Sequence, residues 1–185
     1  MITVFVDNYN PISQHFYDFV LNSIQFHRLT CTCGDSACLR VHGYYTRKVK
    51  SPKGNVSLRI CRVYCSCCHH THAVLLSSIV PYSQVSLSDH IGIVAAYENG
   101  SSPASVMEQT PSIDESNCRY IIRKYSLYWK QRLLSERILL SAPDLVSQCF
   151  SCFFKQFMQI RCTPNILFIH TTQPDTTMPS FPSIL

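Results

Sequence analysis

Acidic residues are scarce, with 11 aspartates and glutamates among 185 residues. Phosphoryl transfer by two divalent ions needs carboxylates from separated strands to hold metals about 4 Å apart. Here Asp89, Asp114 and Glu115 are better placed as helix caps, and too few residues follow for a catalytic α/β domain. Glycine is scarcer still, at five. No Gly-x-Ser-x-Gly and no glycine-rich phosphate loop occurs, so hydrolase and nucleotide-binding readings have no motif to rest on. No apolar run approaches the roughly 18 residues of a membrane span. The start, Met1 to Asp7, lacks the basic stretch and apolar core of a secretory leader. The expectation is a non-enzymatic protein of the reducing cytoplasm with no membrane partner, where clustered cysteines favour metal over disulfide.

What the chain does have is cysteine, 11 in all. One cluster reads Cys31-Thr-Cys33-Gly34-Asp-Ser-Ala-Cys38, the other Cys65-Ser-Cys67-Cys68-His69-His70, and about 26 residues with strand-like alternation lie between them. That is the layout of a zinc ribbon, in which two thiolate-bearing turns at one end of a hairpin grip a structural Zn²⁺. Cys65-x-x-Cys68 has the spacing of one knuckle. In the other, Cys33-Gly34 supplies the second half, since glycine permits the tight turn behind the thiolate. Its partner is either Cys31 or Cys38, and the spacing leaves both open. Cys67 is expected to point away and Cys61 to be a small buried apolar residue. His69, His70 and His72 are alternative ligands of lower rank than Cys68. Four thiolates would close the coordination sphere, so a catalytic ion is not expected.

Basic charge is concentrated. Residues 28 to 70 carry Arg28, Arg40, Arg47, Lys48, Lys50, Lys53, Arg59 and Arg62 against Asp35 alone. Residues 114 to 140 add Arg119, Arg123, Lys124, Lys130, Arg132 and Arg137 against Asp114, Glu115 and Glu136. This suits a polyanionic partner, double-stranded DNA first. A zinc-ribbon module binding an acidic protein surface is the alternative.

Taken in order, residues 1–30 predict a short strand, Ile2 to Val6, a turn at Asn8 to Pro11, and a packing helix from Ile12 to Phe26. Its apolar face would carry Ile12, Phe16, Phe19, Val20 and Ile24. Residues 31–83 form the ribbon-like domain. Ser51 to Asn55 makes its turn, Val56, Leu58 and Ile60 line a half-buried return strand, and Thr71 onward supplies a last strand. Residues 86–140 read as a helix-turn-helix. Ser88-Asp89 caps a helix that stops at Asn99-Gly100, Ala104 to Gln109 forms a second, and Thr110-Pro111 breaks it. Ser112 or Asp114 caps a third helix running toward Leu140, with Cys118, Ile121, Ile122, Tyr125 and Trp129 as its core face. Its opposite face offers Ser116, Asn117, Arg119, Tyr120, Arg123 and Lys124 to base edges and phosphates. With Arg47, Lys48, Lys50, Arg59 and Arg62 of the hairpin, these are the candidate DNA contacts. Residues 141–170 predict a C-terminal helical segment over Asp144 to Ile160. Its Phe150, Phe153, Phe154 and Phe157 suggest homo-oligomerisation, and Cys149 and Cys152 are expected in core or interface. Residues 171–185 have a disordered composition.

One likeness spans residues 30 to 85. The first cysteine cluster, His42-Gly43-Tyr44-Tyr45-Thr-Arg47, Leu58-Arg-Ile-Cys-Arg62-Val-Tyr-Cys65, Cys68-His69-His70-Thr71-His72-Ala73 and Ile79-Val80-Pro81-Tyr82 recur in that order. The run resembles the amino-terminal zinc-binding region of insertion-sequence transposases. It is closer to short uncharacterised bacterial proteins that carry such a region without a catalytic domain. The usual two-residue gap of the first knuckle is replaced by Cys31-Thr-Cys33. The resemblance implies DNA binding, in an accessory, regulatory or remnant role, and no reaction; part of an active transposase is the second alternative to this reading. The fold class expected is α+β: a small zinc-ribbon hairpin module, then a helix-turn-helix and C-terminal helices.

Overall fold

In the computed structural model of the chain, residues 1–6, 12–51, 54–109, 113–160 and 167–170 are described. The turns expected at Asn8 to Pro11 and at Thr110-Pro111, the middle of the hairpin turn, the cap at Ser112 and the tail from Thr171 lie outside them. The architecture is mixed α+β, as composition and pattern suggested. A five-stranded sheet has the order β2-β3-β4-β1-β5. Strands β2 (Leu39–Ser51) and β3 (Gly54–Cys65) form the long antiparallel hairpin, and β4 (Thr71–Leu76) returns antiparallel along β3. Strand β1 (Ile2–Phe5) then pairs parallel with β4 on one side and with β5 (Leu167–His170) on the other. The chain's beginning and its residues 167–170 thus extend the sheet that carries the hairpin, and the latter are extended rather than helical.

Burial along the hairpin changes sides. In β3, Leu58 and Ile60 are buried on one face, then Cys61, Val63 and Cys65 on the other, so Ile60 and Cys61 are consecutive core residues. The crossover lies beside an irregularity in β2 between Val41 and Gly43, an extra residue that twists a two-stranded ribbon. Cys61 is fully buried, as expected of a small apolar side chain.

Helix α1 (Gln14–Ser23), capped by the Ser13 hydroxyl, fills the fork where β3 and β4 part. The Tyr17 hydroxyl accepts from the Cys61 amide at 2.8 Å and donates to the Val74 carbonyl at 2.9 Å, replacing a ladder hydrogen bond between the diverging strands. Gln14 Oε1 also accepts from the Arg59 amide of β3, at 2.7 Å. Burial pushes the Tyr17 hydroxyl well above the usual phenol range. Phe19, expected on the packing face, is 56% exposed. The short helix turns a stripe of Phe16, Tyr17 and Val20 to the sheet and leaves Phe19 beside it.

The second half is helical. Helix α2 (Leu87–Glu98) is capped by Ser86, two residues before the expected Ser88-Asp89 cap. It closes as predicted at Asn99-Gly100: the Ser101 amide reaches the Ala96 carbonyl and Gly100 sits at φ +85°, the left-handed end that glycine adopts cheaply. Helix α3 (Pro103–Gln109) follows, then α4 (Glu115–Lys124), capped by the Asp114 carboxylate. A widened π turn over Tyr125–Trp129 leads into α5 (Lys130–Ser135). Cys118, Ile121, Tyr125 and Trp129 are buried, and Ile122 is half-buried. The helical run stops at Ser135, short of Leu140. Arg137 takes φ 55° and the Ile138 amide bonds the Leu133 carbonyl at 2.9 Å, closing the helix without glycine.

Helix α6 (Leu145–Phe153) is also shorter than its pattern, ending where Phe154 turns left-handed at φ 53°. Beyond it Gln156 is buried and its amide donates to the Ser77 and Ile79 carbonyls at 2.6 and 3.2 Å, stitching this segment to the sheet half. Phe153 and Phe157 pack edge-on against Trp129 at 5.9 and 5.4 Å, while Phe154 is 75% exposed. The aromatics of this segment therefore chiefly fill their own core. Cys149 is buried and Cys152 exposed. Two apolar cores result, one built from residues 2 to 79 and one from 80 to 158. Among the described residues no helix is long and apolar enough to cross a membrane.

Candidate functional site

Both cysteine clusters meet at one end of the hairpin. In the first, the Cys31 amide donates to the Asp35 carbonyl at 2.8 Å and the Gly34 amide to the Cys31 carbonyl at 2.9 Å. Gly34, at φ +96°, makes the tight turn that brings Cys31 and Cys33 to the same side. In the second, the His69 amide bonds the Cys65 carbonyl at 3.0 Å, and the Cys68 amide points at the Cys65 sulfur at 3.4 Å. Ser66 ties the two turns together: its amide donates to the Cys38 carbonyl at 3.0 Å.

The sulfurs of Cys31, Cys33, Cys65 and Cys68 all lie within 4.8 Å of one another. Cys31 to Cys68 and Cys33 to Cys65 are each 3.8 Å. A tetrahedral ion bound at about 2.3 Å would separate its sulfurs by about 3.8 Å. Donor type, number and spacing therefore fit a soft metal ion. Of the two partners left open for Cys33, the one in this group is Cys31. Cys38 instead falls with Cys65 and Cys67, again with all sulfurs within 4.8 Å. Cys67, expected to point away, is turned toward Cys38 and Cys65.

The surroundings tune these thiols. The Cys68 amide and then the Cys38 thiol draw the Cys65 thiol below its ordinary value, against its burial. Burial raises Cys38, to about 12, with the Cys65 thiol adding to the shift. His72, a lower-ranked candidate ligand, is buried in β4 with Nε2 3.9 Å from the Cys31 sulfur and Nδ1 2.9 Å from the Met1 amino group. Burial, then the nearby amino group, lowers its imidazole to about 4, so it stands beside Cys31 as a neutral neighbour. His69 Nδ1 contacts the Tyr64 hydroxyl at 2.6 Å, away from the sulfurs.

The candidate DNA contacts divide. Arg47 is committed internally: its guanidinium donates to the Val80 carbonyl at 2.8 Å and to the Ser83 carbonyl, fixing the hairpin to the segment before α2. Lys50 pairs with Asp114 at 2.8 Å, and that pairing first, then the Ser116 hydroxyl, holds the Asp114 carboxyl well below the usual range. Lys48, Arg59 and Arg62 are exposed, with Arg40, and Arg59 lies over the Tyr44 ring at 4.2 Å. On α4, Ser116 and Asn117 are drawn to the Asp114 cap, and Arg119 pairs with Glu115. Tyr120 and Arg123 are exposed, and Lys124 lies over the rings of Tyr120 and Tyr128 at 5.3 and 5.2 Å. Tyr17, Tyr44 and Cys67 had no signal in local spacing; only the folded hairpin gives them partners.

Residues 30–114 match the model of a family described as a domain of unknown function, DUF6431. The matched stretch holds both knuckles, the hairpin, β4, α2 and α3, and ends at the cap of α4. No curated protein and no solved structure matches the chain.

Proposed function

We propose that the chain is a structural-zinc protein that binds double-stranded DNA through the exposed cations of its hairpin, with the outer face of α4 as a second contact. The observation that carries this reading is the charge of the hairpin surface. No acid occurs between Asp35 and Asp89, and Arg40, Lys48, Arg59 and Arg62 are exposed within that stretch. A surface of one sign attracts a polyanion and releases its counterions on contact.

Cys31, Cys33, Cys65 and Cys68 would hold the ion. Four thiolates leave no open position, so it would supply folding energy to the hairpin's end and no reaction chemistry. In this reading α2, α3 and α4 act as a helix-turn-helix, with Arg123 and Lys124 on phosphates. The role is accessory, regulatory or remnant, in keeping with the likeness to transposase zinc regions.

The test is zinc stoichiometry of reduced protein together with duplex binding at two salt concentrations. One or more zinc ions per chain and binding that weakens steeply with salt are expected. Zinc without DNA binding would replace this reading with a protein-interaction module.

A further inference from the structure

We infer that the cysteine cluster is a two-ion thiolate centre. Cys65 bridges the four-sulfur site to a second site completed by Cys38 and Cys67. This rests on the metal reading above and adds to it a second cation, of the same soft, thiolate-preferring class.

The geometry carries it. Six cysteines of the two clusters fall into two groups that share one member. Cys38 and Cys65 sulfurs are 3.3 Å apart, closer than the 3.8 Å of Cys31–Cys68 and Cys33–Cys65 within the group of four. The loop is shaped to bring them there. Ala37 adopts φ 58°, an unfavourable conformation for a residue with a Cβ, and the next residue's carbonyl is then held by the Ser66 amide and hydroxyl at 3.0 and 3.3 Å. A thiolate sulfur has lone pairs enough for two ions, and both turns converge on Cys65.

The sites differ in character. The first has four protein sulfurs and is closed. The second has three, with Cys38 buried and Cys67 exposed, so it keeps one position open on the solvent side. An ion entering there displaces the thiol protons of Cys38 and Cys67 to solvent. Thiolate donors select soft ions such as Zn²⁺ or Cu⁺ over Mg²⁺ or Ca²⁺. The second ion is therefore the exchangeable one and the first the structural one.

Cadmium serves as the probe, added to the full, reduced chain and followed by native mass spectrometry and cadmium NMR. The expected result is two ions at saturation, with two resonances split by each other through the shared sulfur. Cys67→Ser, at an exposed position, should lose one ion and one resonance while keeping the melting temperature of the one-ion protein. Cys38→Ser should lose the same ion. Saturation at one ion in the wild-type chain, or two ions retained by Cys67→Ser, would overturn the second site and leave the four-sulfur site standing. Binding of no ion would overturn both.

Discussion

The sheet half and the helical half carry their positive charge in different company. On the hairpin, Arg40, Lys48, Arg59 and Arg62 are exposed in a stretch without acids. On α4 and around it, Arg119 pairs with Glu115, Lys130 pairs with Glu98 at 3.0 Å, and Ser116 and Asn117 turn to Asp114. The halves also cohere differently. The helical half is held by caps and by a core around Trp129, whereas the hairpin's far end converges on thiols that would repel one another as thiolates without a cation. The cations of the two halves are therefore unequal evidence: those with no acid neighbour are available to a polyanion, and those already paired support the fold.

The largest effect should follow from Cys65→Ser, which strikes the sulfur common to both groups. Loss of bound metal and at least about 3 kcal/mol of stability are expected. In a chain of this size that lowers the melting temperature by roughly 6–12 °C, read by calorimetry with and without chelator. If the halves are held as described, the near-ultraviolet signal of Trp129 should survive the first transition; its simultaneous loss would break the distinction.

Acid should strike the helical half next. His90 is buried, its Nδ1 2.8 Å from the Ser86 carbonyl and its Nε2 3.4 Å from the Ser83 hydroxyl. Burial lowers its imidazole from 6.5 to about 4. The unfolded chain takes up this proton first, so the stability is complete above pH 6.5 and is lost as pH falls to about 4, on the order of 3 kcal/mol. Burial raises the neighbouring Asp89, which acts in the opposite sense. Denaturant titrations across this window should show the slope, and His90→Asn should flatten it. An unchanged slope in the variant would assign the acid sensitivity elsewhere.

Tyr17→Phe should cost about 1–3 kcal/mol, because the Cys61 amide and the Val74 carbonyl lose a shared partner inside the sheet. Urea unfolding measures this directly, and a cost below a few tenths of a kcal/mol would mean that the fork closes on itself.

The finest comparison is between cations. Replacing Arg59 and Arg62 with alanine should lower the salt slope of duplex binding by about two. Arg123→Ala should weaken binding by less, and Arg119→Ala least, since Glu115 holds its guanidinium. A larger loss from Arg119 than from the hairpin pair would reverse the assignment of the two faces.

Local pattern carried part of this. Cys65-x-x-Cys68, the alternation of β3, the stop at Asn99-Gly100 and the buried row Cys118, Ile121, Tyr125 and Trp129 follow from spacing within a few residues. What escaped it is non-local or atypical. The strand at Ile2 is legible in the sequence, but nothing near it signals that it lies between β4 and residues 167–170. A helix end at Arg137 is invisible when the left-handed residue is not glycine. Phe154 hides the end of α6 in the same way, so the pattern ran on through residues that fold back as core. The choice of Cys31 over Cys38 depended on how two distant turns dock, which one-dimensional spacing does not contain.

The most direct test is duplex-DNA binding of the full chain, followed by fluorescence anisotropy across a salt series, zinc-loaded and after chelation under reducing conditions. A metal-pinned, acid-free hairpin predicts salt-sensitive binding in the loaded protein and its loss on chelation, with recovery when zinc is restored. Binding that is indifferent to chelation, or to salt, would contradict it.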